Sequence, residues 1–262
     1  MEYIKEYIDK MSEDFEEVFE VSYYKKQLSK YQNIAPKQIG NVRLTYKDCE
    51  GFLGGYLYKG YISQDKIPGL FIGESLWMSI TPMEVESHYL PIKKAFGKVG
   101  VAGLGLGYYV QEILEKDNVE SIDVYEINQD VIDMYIENFG LDDRVNIINQ
   151  DVLTMKNKEY DFFYADIYKG ILDSEAIKHK ALIKANNAID KYFIWTQEGM
   201  ALALFKKGIV EESLVDCEIR AFILALMRKK GMLVDSEIAE FAEDILEELE
   251  EVKKIKEGYL RL

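Results

Sequence analysis

The sequence predicts an α/β fold: a doubly wound, Rossmann-like parallel sheet with a small N-terminal α+β segment and a helical C-terminal tail. Three observations point there. Residues 98–126, KVGVAGLGLGYYVQEILEKDNVESIDVYE, read as strand, glycine-rich turn, helix and strand. Further apolar runs, RVNIINQ, YDFFYA and YFIWT, alternate with segments of helical period, the order that crossover helices between parallel strands require. Three of the strands end on or beside an acid, Glu126, Asp151 and Asp166, and the carboxyl ends of strands in one open parallel sheet line one crevice.

Taken in order, residues 1–31 carry an apolar stripe of Ile4, Ile8, Met11, Phe15, Val18 and Phe19 among charges, which predicts an amphipathic helix. Pro36 and Gly40 interrupt the chain. The runs VRLTY, GFLGGYLYKGYI, GLFI and ESLWMSI, rich in glycine and aromatics, predict a small antiparallel sheet. Tyr56, Tyr58 and Tyr61 could line a substrate entrance, although alternating tyrosines also suit packing on a half-exposed sheet. Thr81, Pro82 and Glu84 match a capping box with proline at the first helical position. His88 follows Glu84 by four residues, so the two side chains share a helix face and can hydrogen bond. A histidine satisfied in the core is one reading; a substrate or cofactor contact by Glu84 and His88 is the other.

At the glycine turn the backbone must reverse at Gly103, and bare positions at Gly105 and Gly107 would let a ligand approach the main chain at a helix N-terminus. Glu126 closes the next strand nineteen residues after Gly107 (126 − 107), where a carboxylate can accept both hydroxyls of a ribose. Tyr108 stands where a dinucleotide fingerprint wants its third glycine, which argues against a nicotinamide cofactor. A helix is expected over residues 129–139, ended by Gly140, then strands to Asp151 and Asp166, a helix over 174–188 and a fifth strand over 192–196. Beyond Gly199 the pattern turns helical again over 212–228 and 235–256. The expected organisation is therefore 1–81, an N-terminal helix and β segment; 82–199, the nucleotide-binding sheet; and 200–262, a helical extension that covers a sheet edge or forms a homodimer surface.

Composition narrows the function. With 47 acidic against 32 basic residues the formal charge is −15, and its mean field repels phosphate backbones and anionic membranes, so neither a nucleic-acid nor a membrane partner is expected. The two cysteines are far apart and the two histidines give no zinc-like spacing, so no metal site is expected and a reducing, cytoplasmic setting fits. The N-terminus lacks the basic and apolar regions of an export signal.

The motifs VAGLGLG, YEIN, NQD and YADIY, spread over about residues 82–196, resemble the class I S-adenosylmethionine-dependent methyltransferases. The resemblance implies S-adenosylmethionine as cofactor: Gly103, Leu104, Gly105 and Gly107 against its methionine part, Glu126 on the ribose, Asp151 with Val152 at the adenine. Asp166 would stand beside the reacting centre, with Tyr168 next to it, as the catalytic pair. The acceptor would be a small molecule or a protein. SHYLP, before the glycine turn, is similar to the spermidine-synthase branch, which implies aminopropyl transfer as an alternative; that branch places an acid where Lys169 stands here. A non-catalytic protein that keeps the fold and works through its tail is the reading from another class.

Overall fold

The computed structural model describes residues 20–53, 61–170, 173 and 175–197. The expectations for residues 1–19 and 200–262, and those for Tyr56 and Tyr58, lie outside the described residues. Helix α1, Val21–Ser29, buries Tyr24, Gln27 and Leu28. Four antiparallel strands follow: β1 Lys37–Ile39, β2 Val42–Leu53, β3 Tyr61–Ile72 and β4 Ser75–Ser79, in spatial order β1-β2-β3-β4. This is the small sheet that the aromatic, glycine-punctuated runs predict. A two-residue turn at Gly73 and Glu74 joins β3 to β4, pairing Ile72 with Ser75, and glycine supplies the positive φ of 59° that such hairpins need.

Helix α2, Pro82–Lys94, leads into the second sheet. Its strands are β5 Gly97–Ala102, β6 Val119–Glu126, β7 Val145–Asn149, β8 Glu159–Ala165 and β9 Ala188–Ile194. Helices α3 Tyr108–Leu114, α4 Gln129–Phe139 and α5 Glu175–Asn186 connect them. The order is β7-β6-β5-β8-β9 and every pairing is parallel, so the chain winds outward both ways from β5. The doubly wound sheet predicted from sequence is thus the sheet observed. Glu20–Thr196 forms one compact unit that spans the boundary expected near residue 82.

The core of the sheet is aromatic. Phe162 stacks on Phe193 and Phe163 on Tyr192, each pair with ring centroids 5.1 Å apart. Gly100, in the middle of β5, leaves the space that the Phe163 ring fills. One boundary differs from expectation: α5 stops at Asn186 and β9 begins at Ala188, whereas helical periodicity runs through both. Asn187 explains the break. Its side chain donates to the Ile183 and Met155 carbonyls and accepts from the Lys158 amide at 3.0 Å, tying the helix end to the start of β8.

Candidate functional site

Two of the three inner strands, β5 and β8, run side by side and end together. The Asp166 amide donates to the Ala102 carbonyl at 2.8 Å, and the Gly103 amide to the Tyr125 carbonyl at 2.9 Å, so the glycine turn is clamped between the ends of β6 and β8. Gly103 has φ 92° and Gly105 φ 53°, and a Cβ on Gly103 would collide with the Asp166 carbonyl oxygen. A crevice opens here, at the switch in strand order.

Glu126 sits at its edge. One carboxylate oxygen accepts from the Leu104 amide at 3.1 Å and the other from the Asn128 amide at 2.8 Å. Burial raises the proton affinity of this carboxyl, and the backbone donors pull it back down. Each oxygen keeps a further lone pair for a ligand. Glu126 lines a cavity of about 280 Å³ together with Gly103, Gly105, Tyr125, Asp151, Val152 and Asp166. Asp151 starts the short 3₁₀ turn Val152–Thr154, its side chain accepting from the Leu153 amide at 2.9 Å, and thereby presents Val152 to the cavity.

A second cavity, of about 180 Å³, lies on the other side of the turn. Gly103, Gly105, Trp77 and Asp166 line both, so the two spaces meet at the turn. In the second cavity Glu84 and His88, neighbours on one helix face, meet Asp166, which is distant in sequence. His88 is 1% exposed; its Nε2 lies 3.1 Å from Asp166 Oδ2 and its Nδ1 lies 2.8 Å from the Glu84 carbonyl oxygen. Both ring nitrogens therefore face oxygen acceptors, an arrangement that the doubly protonated imidazolium satisfies with one N–H to each. Burial opposes that charge, but the Asp166 and Glu84 groups outweigh it and hold the imidazole pKa above its ordinary value.

The capping box expected at Thr81 is not formed. Thr81 occupies the N-cap position without a side-chain hydrogen bond. Glu84 turns inward, 7% exposed, with a carboxylate oxygen 3.6 Å from His88 Nδ1. Burial, only partly opposed by the His88 charge, lifts its pKa to about 7.

Tyr168 lines the same cavity, stacked on His179 with centroids 5.9 Å apart. Its hydroxyl is buried with no hydrogen-bond partner, and burial with the nearby Asp173 and Asp166 pushes the phenol far up. It is a neutral O–H donor and not a phenolate base.

Two of the turn glycines also meet packing demands from the rest of the fold. The space beside Gly105 is filled by Met78 Sδ from β4, which also accepts from the Leu106 amide at 2.9 Å. Gly107 lines neither cavity: it is the N-cap of α3, and a Cβ there would stand 2.5 Å from the Tyr135 ring. Sequence reasoning missed Trp77, Met78, Tyr108, Tyr109, Tyr164 and Trp195, all of which line the second cavity. The run ESLWMSI signalled a strand, but only the packing of β4 over the turn makes Trp77 and Met78 part of a site. Among the described residues no three His, Cys, Asp or Glu side chains are grouped to hold a metal ion, and no helix is long and apolar enough to cross a membrane.

No protein-family model matches the chain, and no curated protein matches it either. Solved structures do. A spermidine synthase from Thermotoga maritima is 18% identical, over 59% of this chain and 52% of that one, with a TM-score of 0.38. A ribosomal protein L11 methylase from Lactobacillus delbrueckii subsp. bulgaricus is 16% identical, over 53% and 69%, at 0.37. A Pyrococcus horikoshii protein provisionally described as an RNA methyltransferase is 18% identical, over 40% and 54%, at 0.33. The matched region thus spans about half the length of most of these structures. Likeness at this level does not reach the reaction or the acceptor. The expected exclusion of nucleic acid rests on overall charge alone, and a net charge does not fix the field at one surface.

Proposed function

We propose that this chain is an S-adenosylmethionine-dependent methyltransferase acting on a small-molecule or protein acceptor. The observation that carries the reading is the position of Glu126: a half-buried carboxylate anchored by two backbone amides at the end of β6, facing a cavity that continues past the glycine turn to Asp166. That arrangement fits a nucleoside. The free lone pairs of Glu126 suit two vicinal ribose hydroxyls, and Val152 with Ile127 offers apolar contact to a base. Leu104, Gly103 and Gly105 border the passage between the two cavities, and the methionine part would run along that passage. The bound cofactor would supply an electrophilic methyl group on a sulfonium.

The chain's own residues then position the acceptor. Asp166, fixed by the His88 imidazolium, points one carboxylate oxygen at the ring and keeps the other for a hydrogen bond from the acceptor. Paired in this way, with one oxygen held by the ring and the other free, it serves to orient a nucleophile. Tyr168 offers an O–H to a lone pair of the acceptor. The buried aromatic walls exclude water from the line of attack. Glu84 sets the orientation and charge of His88 and is a positioning residue in this scheme.

Aminopropyl transfer is the weaker alternative, since Lys169 lines the cavity where a polyamine-binding site calls for an acid. Product analysis separates the readings. Incubation with S-adenosylmethionine and with its decarboxylated form, against fractionated small molecules and proteins, should release S-adenosylhomocysteine from the first. Release of methylthioadenosine from the second alone would replace methyl transfer with aminopropyl transfer, and no turnover with either would leave a binding protein.

A further inference from the structure

The second cavity also carries information about what it takes. Four charge-bearing side chains line it: Glu84, His88, Asp166 and Lys169. His88 and Asp166 neutralise each other at 3.1 Å, both drawn from the wall of the cavity. Glu84 lies behind them against His88 Nδ1. Lys169 stands apart at the exposed rim. Among the described residues no carboxylate pairs with its ammonium, which instead lies 5.5 Å from the centroid of the Trp77 ring. In a chain with a formal charge of −15, this mouth thus presents a cation with no counter-ion among the described residues.

The walls are as particular as the charges. Trp77 is 41% exposed, an unusual position for so large an apolar ring, and it overhangs the mouth from β4. Tyr108, Tyr168 and Trp195 lie deeper, and the hydroxyls of Tyr108 and Tyr168 are buried without hydrogen-bond partners. Flat aromatic walls with unpartnered O–H groups suit a planar ring that carries oxygen or nitrogen. The volume, about 180 Å³, is close to the ~150 Å³ that encloses one benzene molecule in an engineered cavity.

We propose that the acceptor is a single-ring aromatic acid: its ring lies between Trp77 and Tyr168, its carboxylate or phosphate meets Lys169, and its reacting heteroatom faces Asp166. This deepens the reading of the second cavity as an acceptor site and rests on it. A cationic acceptor would find no uncompensated negative charge at the rim, and a neutral one would leave Lys169 without a role.

The two tryptophans of the chain both line this cavity, so intrinsic fluorescence reports its occupancy without a label. Three probes of equal shape and different charge are titrated: 4-hydroxybenzoate, 4-hydroxybenzamide and 4-hydroxybenzylamine, with phenyl phosphate to separate a phosphate from a carboxylate preference. The expected result is saturable quenching, with an anion bound roughly three- to tenfold more tightly than the amide and the amine weakest. Lys169→Gln should bring anion and amide to within about twofold. S-adenosylhomocysteine affinity, measured separately by calorimetry, should be unchanged in that variant. Equal binding of all probes, a preference for the amine, no saturable quenching by any probe, or an anion preference retained by Lys169→Gln would each overturn the proposal. Failure to bind S-adenosylhomocysteine with the anion preference intact would overturn the methyltransferase reading and leave the anion site standing.

Discussion

Replacing Glu84 by glutamine should stabilise the protein, and only at the alkaline side of neutrality. The carboxyl is buried, has no lysine or arginine partner among the described residues, and retains its proton to about pH 7 where an ordinary glutamic acid loses it near 4.5. The folded-state value is raised, so the contribution to stability is complete below the unfolded value and is lost as pH rises through the folded one. Between those limits the unfolded chain releases a proton that the fold retains. Above about pH 7 the fold has lost on the order of 3 kcal/mol, with the opposing effect of the His88 charge already included. Glutamine has the shape of the protonated acid and does not titrate. The variant should match wild type within about 1 kcal/mol at pH 5, where most of the wild-type carboxyl is protonated, and exceed it by about 2–3 kcal/mol at pH 8. For a chain of this size each kcal/mol moves the melting temperature by about 2–4 °C. Circular-dichroism melts at the two pH values read the difference directly. A shift that is the same at both pH values, or a variant less stable at pH 8, would refute the reasoning by showing that Glu84 is ionised in the fold without penalty.

Further expectations concern the pair behind the reacting centre and the core beneath it. In wild type, His88 should titrate above the ordinary imidazole range in ¹⁵N NMR, where only His179 competes for assignment; its contribution to stability is full below the unfolded value and fades as pH rises through the raised one. In Asp166→Asn the His88 value should fall, because the largest opposing group to burial is gone, and stability should drop by about 1–3 kcal/mol, less than for a fully buried pair since Asp166 is partly exposed. An unmoved His88 titration would remove Asp166 as its partner. Gly100→Ala should cost about 1–3 kcal/mol in chemical denaturation, because the added methyl enters the Phe163 ring, and should leave ligand binding intact. A neutral Gly100→Ala would mean that the inner strands are packed more loosely than they stand here.

The main sheet was legible because each of its signals is local. Strands such as YDFFYA are apolar on both faces, Gly140 ends α4 as expected, and acids at strand ends mark the crevice side of a parallel sheet. Glu126, Asp151 and Asp166 could be named for that reason. Tertiary competition decided the rest. Thr81 and Glu84 have the spacing of a capping box, but the Thr81 amide already donates to the Ser79 carbonyl, and Glu84 turns instead to a buried histidine on the same helix face. Gly105 was read as room for a ligand, while the strand carrying Met78 comes from a separate sheet and no local pattern reports its approach. Asn187 sits within an unbroken helical period, and only the β8 backbone it bonds reveals it as a stop.

The central claim is that the crevice at the glycine turn holds S-adenosylmethionine through Glu126. Isothermal titration calorimetry with S-adenosylmethionine and NAD, on the wild type and on a folded Glu126→Ala variant, tests it directly. Saturable S-adenosylmethionine binding, weaker or no NAD binding, and a loss of about 1.5–3 kcal/mol of S-adenosylmethionine affinity in the variant are expected. Tighter binding of NAD, or an affinity for S-adenosylmethionine that Glu126→Ala leaves unchanged, would contradict it.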